Sequence, residues 1–222
     1  MGRIGHVNPL TYGWNWAKFR GSQRCLGLNH RDLAALDEVL AHVNGRTAVV
    51  QAGGNLGLFP KRLAQEFAAV YTFEPDAASF ACLQANAPES NIVKFQAALG
   101  CDRCLVSMSG VRRDGKHHMA AHEGITHIDG AGIIPTLRID DLGLPACDLI
   151  YLDVEGSEPS ALAGAVETIA RCRPVLVFEN RREYEPWSGV SVWELRQQVL
   201  VQGYRYVCTV LSDEVFESAV AA

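Results

Sequence analysis

The chain has 222 residues, 48% of them hydrophobic and 20% charged, which suits one globular domain with a sizeable core. Its formal net charge of −5 argues against a nucleic-acid-binding surface, because phosphate binding relies on clustered Lys and Arg. No apolar run approaches the roughly 20 residues that span a bilayer, and the first ten residues, MGRIGHVNPL, lack the apolar core of a signal peptide, so we expect a cytoplasmic protein with no membrane partner.

Hydrophobic periodicity predicts strands and helices in alternation. Residues 1–45 are predicted to be an N-terminal segment and a helix (33–43) covering the core, and residues 46–222 a single domain. The predicted order in that domain is strand 47–51, helix 58–68, strand 70–73, helix 76–86, strand 92–96, strand 149–154, helix 158–170, strand 175–179, helix 192–201 and the closing strands 204–210 and 214–217. This alternation predicts an α/β fold, with a mostly parallel sheet and helices on both faces.

Residues 110–132 interrupt the alternation, with several glycines, few large apolar residues and four histidines, His117, His118, His122 and His127. We expect a lid-like insertion or loop there. Two or three of the histidines could approach one metal ion, but no carboxylate or cysteine ligands accompany them at matched spacing. The sequence therefore predicts no metal site.

The first motif, AVVQAGGNLG at residues 48–57, reads as a buried strand followed by a glycine turn and a helix. Glycines suit such a turn because a backbone without Cβ enters positive φ and lets a ligand approach closely. The exposed N–H groups of the following helix then attract polar or anionic parts of that ligand. The motif therefore predicts one side of a nucleotide-type cofactor site.

Glu74 ends the next strand, roughly twenty residues after the turn, where an acidic side chain can accept hydrogen bonds from both ribose hydroxyls. The turn reads GGNLG and lacks the G-x-G-x-x-G that would cradle a pyrophosphate, which disfavours a nicotinamide oxidoreductase. A ribose-binding acid without that cradle fits an adenosine with a non-phosphate tail. S-adenosylmethionine is the commonest such cofactor.

The second motif, DLIYLDVEGSE at residues 148–158, is a buried strand that ends in Asp153, Glu155 and Gly156. Ligands of open α/β sheets lie outside the carboxyl ends of the strands, near the point where strand order reverses. Both carboxylates are therefore expected at the mouth of the site. The strand 175–179 brings Glu179 to the same edge.

Six segments in this order, GGNLG, FEP, LRIDDL, DLIYLDVEGSE, LAGA and RPVLVFE, resemble the FkbM family of S-adenosylmethionine-dependent methyltransferases over residues 47–180. The resemblance implies a class I methyltransferase fold, Rossmann-like and seven-stranded, and usually O-methylation of a hydroxyl on a sugar, polyketide or similar small molecule. It also implies a set of cofactor-binding residues, namely Gln51, Gly53, Asn55, Gly57, Glu74, Pro75, Ala97 and Ala98. Gln51 stands where the family commonly has an acid, and its amide oxygen can accept from the cofactor's ammonium.

The resemblance places Asp153 and Glu155 beside the transferred methyl group. Methyl transfer from a sulfonium needs alignment of acceptor, methyl and sulfur, and a hydroxyl acceptor must also lose its proton. We expect Asp153 or Glu155 to remove that proton or to orient the acceptor. The alternative is a non-catalytic binding or regulatory protein that retains the methyltransferase fold.

The acceptor pocket is expected from the segments 1–29, 110–132 and 181–189, whose mixed chemistry points to no single small-molecule or glycan acceptor. Trp14 and Trp16 lie in the first of these segments. Exposed aromatic residues there would suit a homodimer contact.

Overall fold

The first strand of the domain, β1 (Ala48–Ala52), is buried along its whole length because other elements pack on both faces of the sheet. A parallel strand also pairs with it on each side. These neighbours are β2 (Ala69–Phe73) and β7 (Leu149–Leu152). The computed structural model of the chain describes residues 25–112 and 124–219. Because β1 exposes no face to solvent, its sequence is an apolar run rather than an alternation.

The described residues form a main sheet of seven strands in the order β3-β2-β1-β7-β8-β10-β9. The remaining strands are β3 (Ile92–Phe95), β8 (Val175–Glu179), β9 (Tyr204–Val210) and β10 (Asp213–Ser218). Five neighbouring strands of the sheet, β3, β2, β1, β7 and β8, are parallel, whereas β10 runs antiparallel to both of its neighbours. The predicted, mostly parallel sheet is confirmed.

Helices cover both faces of this sheet. Their bounds are α1 (Cys25–Leu40), α2 (Leu58–Leu63), α3 (Ala77–Asn86), α4 (Glu158–Ala163), α5 (Val166–Cys172), α6 (Glu185–Ser188) and α7 (Val192–Leu200), with short 3₁₀ turns at Ile139–Leu142 and Arg182–Tyr184. Neighbouring strand residues point to opposite faces. On β1, Val49 packs with residues of α1, α2 and α3, and Val50 packs with residues of α4, α5 and α7.

Two predicted helices differ in extent from the observed ones. The helix predicted over 158–170 is interrupted between α4 and α5, where a Cβ on Gly164 would lie 2.1 Å from the carbonyl oxygen of Gly100. The Gly164 carbonyl accepts the Asp140 N–H at 2.9 Å instead of continuing the helix. The helix predicted over 58–68 ends at Leu63 and continues as turns to Phe67. Tertiary contacts at these ends outweigh the periodicity.

The prediction of loop structure for residues 110–132 is wrong in the described part of that segment, which is β-strand. The strands β5 (Leu105–Arg112) and β6 (Gly124–Leu137) form a long antiparallel hairpin, and β6 also pairs with β4 (Ala98–Leu99) to complete a small second sheet. The sequence pattern did not predict these strands, because the segment is rich in glycine and its apolar residues are not all buried; Ile133 is 90% exposed. His117, His118 and His122 lie outside the described residues.

The homodimer contact predicted at Trp14 and Trp16 also falls on residues outside the described ranges. Of the helices in those ranges, none combines the length and the apolar character that crossing a bilayer requires. Within the described part of residues 1–45, α1 covers the sheet as expected, with Leu36 and Val39 fully buried.

The burial of α1 predicts that this helix is part of the folding unit. Leu36→Ala should lower the free energy of unfolding by about 2–5 kcal/mol, because it removes a side chain with 0% exposure and leaves a cavity. Leu105→Ala, at a position that is 57% exposed, is the matched control and should change it by less than about 1 kcal/mol. Urea denaturation of both variants measures the difference; equal effects would mean that α1 is not integral to the domain.

Candidate active site

The candidate site lies where the strand order reverses, between the carboxyl ends of β1 and β7. From β1 the chain continues to β2 on one side, and from β7 to β8 on the other, so the turns after the two central strands diverge and leave a crevice. The turns touch at their base. A Cβ on Gly53, whose φ is +87°, would lie 2.2 Å from the carbonyl oxygen of Asp153, so only glycine fits there.

A cavity opens above this contact. The structure brings eight of the ten predicted site residues to its wall, namely Gly53, Asn55, Glu74, Pro75, Ala97, Ala98, Asp153 and Glu155. The wall also includes residues that the sequence did not indicate, among them Ser79 from α3 and Met108 and Ile128 from the hairpin. Residues more than a hundred positions apart therefore share one cavity.

Gln51 lies behind the cavity wall rather than on it. Its amide nitrogen donates to the carbonyl oxygens of Ala52 and Gly53, at 3.1 and 3.0 Å. Its amide oxygen, which the sequence assigned to the cofactor's ammonium, accepts from Thr72 Oγ1 at 2.6 Å. The Gln51 side chain is fully buried, so its observed role is to hold the backbone of the glycine turn in place.

Gly57 is also absent from the described cavity wall. It precedes α2 with φ +94°, and a Cβ there would lie 3.3 Å from Leu83 on α3. Its contribution is the left-handed turn that starts α2 and the close packing of α2 against α3. The family resemblance implied that Gln51 and Gly57 contact the cofactor, but neither residue belongs to the described cavity wall.

Glu74 is held in place by the backbone on both sides of the cavity. Its Oε2 accepts the Asn55 N–H at 2.7 Å, and its Oε1 accepts the Asp76 N–H at 2.8 Å. Burial raises the pKa of Glu74 to about 7, although these two hydrogen bonds oppose the shift. Each carboxylate oxygen retains a second lone pair, so the group can still accept two hydrogen bonds from a ligand in the cavity.

Three carboxylates converge at the other end of the cavity. One oxygen from each of Asp153, Glu155 and Glu179 lies within 4.8 Å of the other two. Asp153 is open to the cavity and enclosed by protein on its other sides. This enclosure raises the pKa of Asp153 well above its usual range, and repulsion from Glu179 and Glu155 raises it further. A raised carboxyl pKa in a cleft, caused by burial and by neighbouring acids, is typical of functional sites.

Tyr184, which the sequence did not single out, joins two of these carboxylates. Its hydroxyl lies 2.5 Å from Glu155 Oε2 and also hydrogen-bonds with Glu179 Oε2. The Glu179 Oε1 atom accepts from Ser212 Oγ at 2.7 Å and pairs with the Arg181 guanidinium. The sequence does not predict these contacts of Tyr184, because they form only when the 3₁₀ turn at 182–184 brings the side chain back to the end of β8. Since hydrogen-bond donors already satisfy Glu179, we assign no metal ligands here.

Glu158 stabilises the turn that carries Glu155. Its carboxylate accepts the N–H groups of Val154 at 3.0 Å and Gly156 at 2.8 Å. Glu155 and Gly156 both adopt positive φ, at 53° and 101°, which is a strained conformation for Glu155. Burial raises the pKa of Glu158 to about 8. The second glutamate of the DVEGSE motif, Glu158, is therefore structural and shapes the turn that carries the first, Glu155.

The β5–β6 hairpin closes one side of the cavity. Met108 and Ile128 are cross-strand partners, and both line the wall. Next to Ile128, the His127 ring stacks on Trp187, with centroids 4.5 Å apart. Trp187 Nε1 donates to the Glu155 carbonyl oxygen at 2.9 Å, so the hairpin is tied to the acidic end of the site.

The charge of the cavity restricts its ligands. Its described lining contains four acids, Glu74, Asp76, Asp153 and Glu155, and no Lys, Arg or His. Such a wall favours a positively charged or neutral ligand and repels phosphate groups. A dinucleotide or nucleoside triphosphate is therefore a poor fit.

Comparison with known proteins agrees with this geometry. Residues 51–206, well over half of the chain, match the family model described as the methyltransferase FkbM domain. The chain belongs to the FkbM methyltransferase family. Methyltransferases of this family and fold use S-adenosylmethionine in general.

The FkbM chain is similar to one curated protein, the 2-O-methyltransferase NoeI of Sinorhizobium fredii (strain NBRC 101917 / NGR234), with 27% identity over 162 residues. The match covers 64% of this chain and 65% of NoeI, so it spans just under two thirds of that protein.

A methyltransferase FkbM from Methylobacillus flagellatus KT superimposes with a TM-score of 0.52 at 19% identity, over 78% of this chain and 43% of that one. This match confirms the predicted class I methyltransferase fold. The chain is also similar to a magnesium protoporphyrin IX methyltransferase from Synechocystis PCC 6803, solved with bound SAM, with a TM-score of 0.45 at 12% identity, over 95% and 91% of the two chains.

The buried acids predict that the free energy of unfolding decreases as the pH rises from 5 to 8. Burial raises the folded-state pKa values of Glu74, Glu158 and Asp213, the last to about 6, so the folded state binds more protons than the unfolded chain in this range. Each unit of pKa difference corresponds to about 1.4 kcal/mol, so a loss of a few kcal/mol is expected.

Urea denaturation at pH 5, 6, 7 and 8 measures this slope. Glu158→Gln should flatten it, whereas Glu38→Gln, at an exposed position on α1, should leave it unchanged. A slope of the opposite sign in the wild-type chain would contradict the assignment of these buried carboxyls.

Proposed function

We propose that this chain is an S-adenosylmethionine-dependent O-methyltransferase whose acceptor is a hydroxyl of a small molecule or sugar. The observation that carries the proposal is the acidic cavity at the strand switch point, whose wall holds Glu74, fixed by two backbone N–H groups, together with Asp153 and Glu155. The similarity to NoeI, named as a 2-O-methyltransferase, supports a hydroxyl acceptor.

The residues of the cavity fit S-adenosylmethionine. Glu74 would bind the ribose hydroxyls with the lone pairs that Asn55 and Asp76 leave free. Gly53 and Asn55 would lie along the methionine, and Ala97 and Ala98 along the adenine, with Pro75 beside the ribose. The bound cofactor would supply a methyl group on a positively charged sulfur, a charge that the acidic wall accommodates.

Asp153 and Glu155 would act on the acceptor. Both line the cavity, and carboxylates there can hold a hydroxyl by hydrogen bonding and accept its proton. The hairpin residues Met108 and Ile128 would shield the reacting groups from water, which strengthens electrostatic interactions between them. Acceptors without negative charge are favoured, because a phosphate or carboxylate would meet these acids.

The pKa of Glu74 predicts a pH-dependent affinity for S-adenosylmethionine. A carboxylate accepts from both ribose hydroxyls and a carboxylic acid does not, so a pKa of about 7 should make the affinity rise about tenfold between pH 6 and pH 8. Glu74→Gln should weaken binding at least tenfold at pH 8 and abolish this dependence. Calorimetric titration measures both, and NADH is the control ligand that should not bind.

Adding candidate acceptors distinguishes an enzyme from a non-catalytic binding protein. An enzyme should release S-adenosylhomocysteine when a panel of neutral monosaccharides and their methyl glycosides is added. Their phosphorylated counterparts should be poor acceptors. Binding of S-adenosylmethionine without release for any hydroxyl compound would favour the non-catalytic reading, and absence of binding would remove the proposal.

Replacing Asp153 tests its role in turnover. Asp153→Asn preserves the shape of the side chain but cannot accept a proton or bind a hydroxyl as strongly, so turnover should fall by about 10²-fold or more. The dissociation constant of S-adenosylmethionine should change by less than about threefold. Asp102→Asn, at an exposed position, is the control and should retain full turnover. Unchanged turnover in Asp153→Asn would contradict the assigned role.

A further inference from the structure

The contacts of Tyr184 have a consequence for proton placement. Its hydroxyl has one proton but two carboxylate partners, Glu155 Oε2 and Glu179 Oε2. A hydroxyl can donate to one of these oxygens, and it can accept from the other only if that carboxyl carries a proton. The pair therefore has two hydrogen-bonding states, one with Glu155 ionised and one with Glu155 protonated.

We propose that Glu155 is the group that takes the acceptor's proton, and that Tyr184 and Glu179 form a hydrogen-bonded relay behind it. Of these three hydrogen-bonded residues, Glu155 lines the described cavity wall. Tyr184 and Glu179 do not line it and are positioning residues. The inference rests on the proposed function, because it assigns the base for that reaction.

The acceptor oxygen forms a bond to the methyl carbon while the carbon–sulfur bond of the cofactor breaks and its electron pair stays on sulfur. The hydroxyl proton moves from the acceptor oxygen to the Glu155 carboxylate. While Glu155 is ionised, Tyr184 donates to it, and Ser212 and Arg181 hold the ionised Glu179 through its Oε1 atom. Once Glu155 carries the acceptor's proton, it donates to Tyr184 Oη, and the Tyr184 hydroxyl donates to Glu179 Oε2 instead. The acceptor's proton thus stays on Glu155.

The neighbouring charges favour Glu155 over Asp153 for this role. No side chain among the described residues hydrogen-bonds with the Asp153 carboxylate, which also faces repulsion from Glu155, Glu158, Glu179 and Asp213. The Tyr184 hydroxyl hydrogen-bonds with Glu155. The charges of Glu179 and Glu183 disfavour the ionised form of Glu155, and the charge of Arg181 favours it. Asp153, free of internal partners, is suited to hold and orient the acceptor hydroxyl.

The environment of Glu155 predicts opposite effects for two substitutions. Burial raises the pKa of Glu155, and the Tyr184 hydrogen bond lowers it because it stabilises the ionised form. Tyr184→Phe should therefore move the titration midpoint of Glu155 up by about one pH unit. Glu179→Gln removes a repulsive charge and should move the midpoint down.

Carbon-13 NMR of the full chain, labelled at the glutamate side-chain carboxyl carbon, measures these midpoints without cofactor or acceptor. Glu155→Gln identifies the resonance by its loss. Tyr206→Phe is the matched control, because its hydroxyl bonds Thr209 Oγ1 at 2.8 Å and should leave the Glu155 midpoint unchanged. A circular dichroism melt of each variant establishes that it is folded, and Glu179→Gln provides the test if Tyr184→Phe does not fold.

Midpoints that move in opposite directions in Tyr184→Phe and Glu179→Gln support the relay, and a Glu155 midpoint that moves in neither overturns it. If the chain binds S-adenosylmethionine but the midpoint does not respond, the relay fails while the proposed function stands. If the midpoint responds but S-adenosylmethionine does not bind, the proposed function fails, and the relay's role in methyl transfer fails with it. Once an acceptor is found, the acid limb of the kcat profile should move with the same signs, at nearly constant KM.

Discussion

The parallel pairing of β1 with β7 is the constraint on which the rest of the site depends. It sets Gln51 beside Tyr151 and Ala52 beside Leu152, so that two turns about a hundred residues apart begin at the same height of the sheet. Gly53 then packs directly on the Asp153 backbone, with no room for a Cβ. The glycine turn and the acidic turn thus share one rigid base, and the cavity between them needs no mobile element to form it.

The site concentrates negative charge, and its surroundings show how the fold tolerates it. Glu74 and Glu158 each accept two backbone N–H groups, so these buried carboxylates are fixed by the turns that they shape. Tyr151 donates to Asp213, and Arg181 pairs with Glu179. The raised pKa values that remain are the energetic cost of gathering acids around one cavity, and active sites are where such costs are retained.

The hairpin and the turn after β8 complete the site from outside the central strands. Ile128 and its neighbour His127 bring β6 over the cavity, and Trp187 connects that hairpin to the turn of Glu155. The same region supplies Tyr184. Under the proposed function, the turns at the strand ends would bind the cofactor, while the surrounding segments would position the acceptor and its proton, which is the usual division between a rigid scaffold and its loops.

The sequence by itself determined the alternation of strands and helices, the glycine turn, Glu74, and the acids at the end of β7, because burial periodicity and turn chemistry are local properties. Only the tertiary structure decided that the Gln51 amide oxygen bonds Thr72, that β5 pairs with β6, and that Tyr184 joins Glu155 to Glu179. These features depend on which face a side chain takes and which distant partner it meets. Spacing along the chain does not encode either, since both are set when the sheet, the hairpin and the final turns pack together.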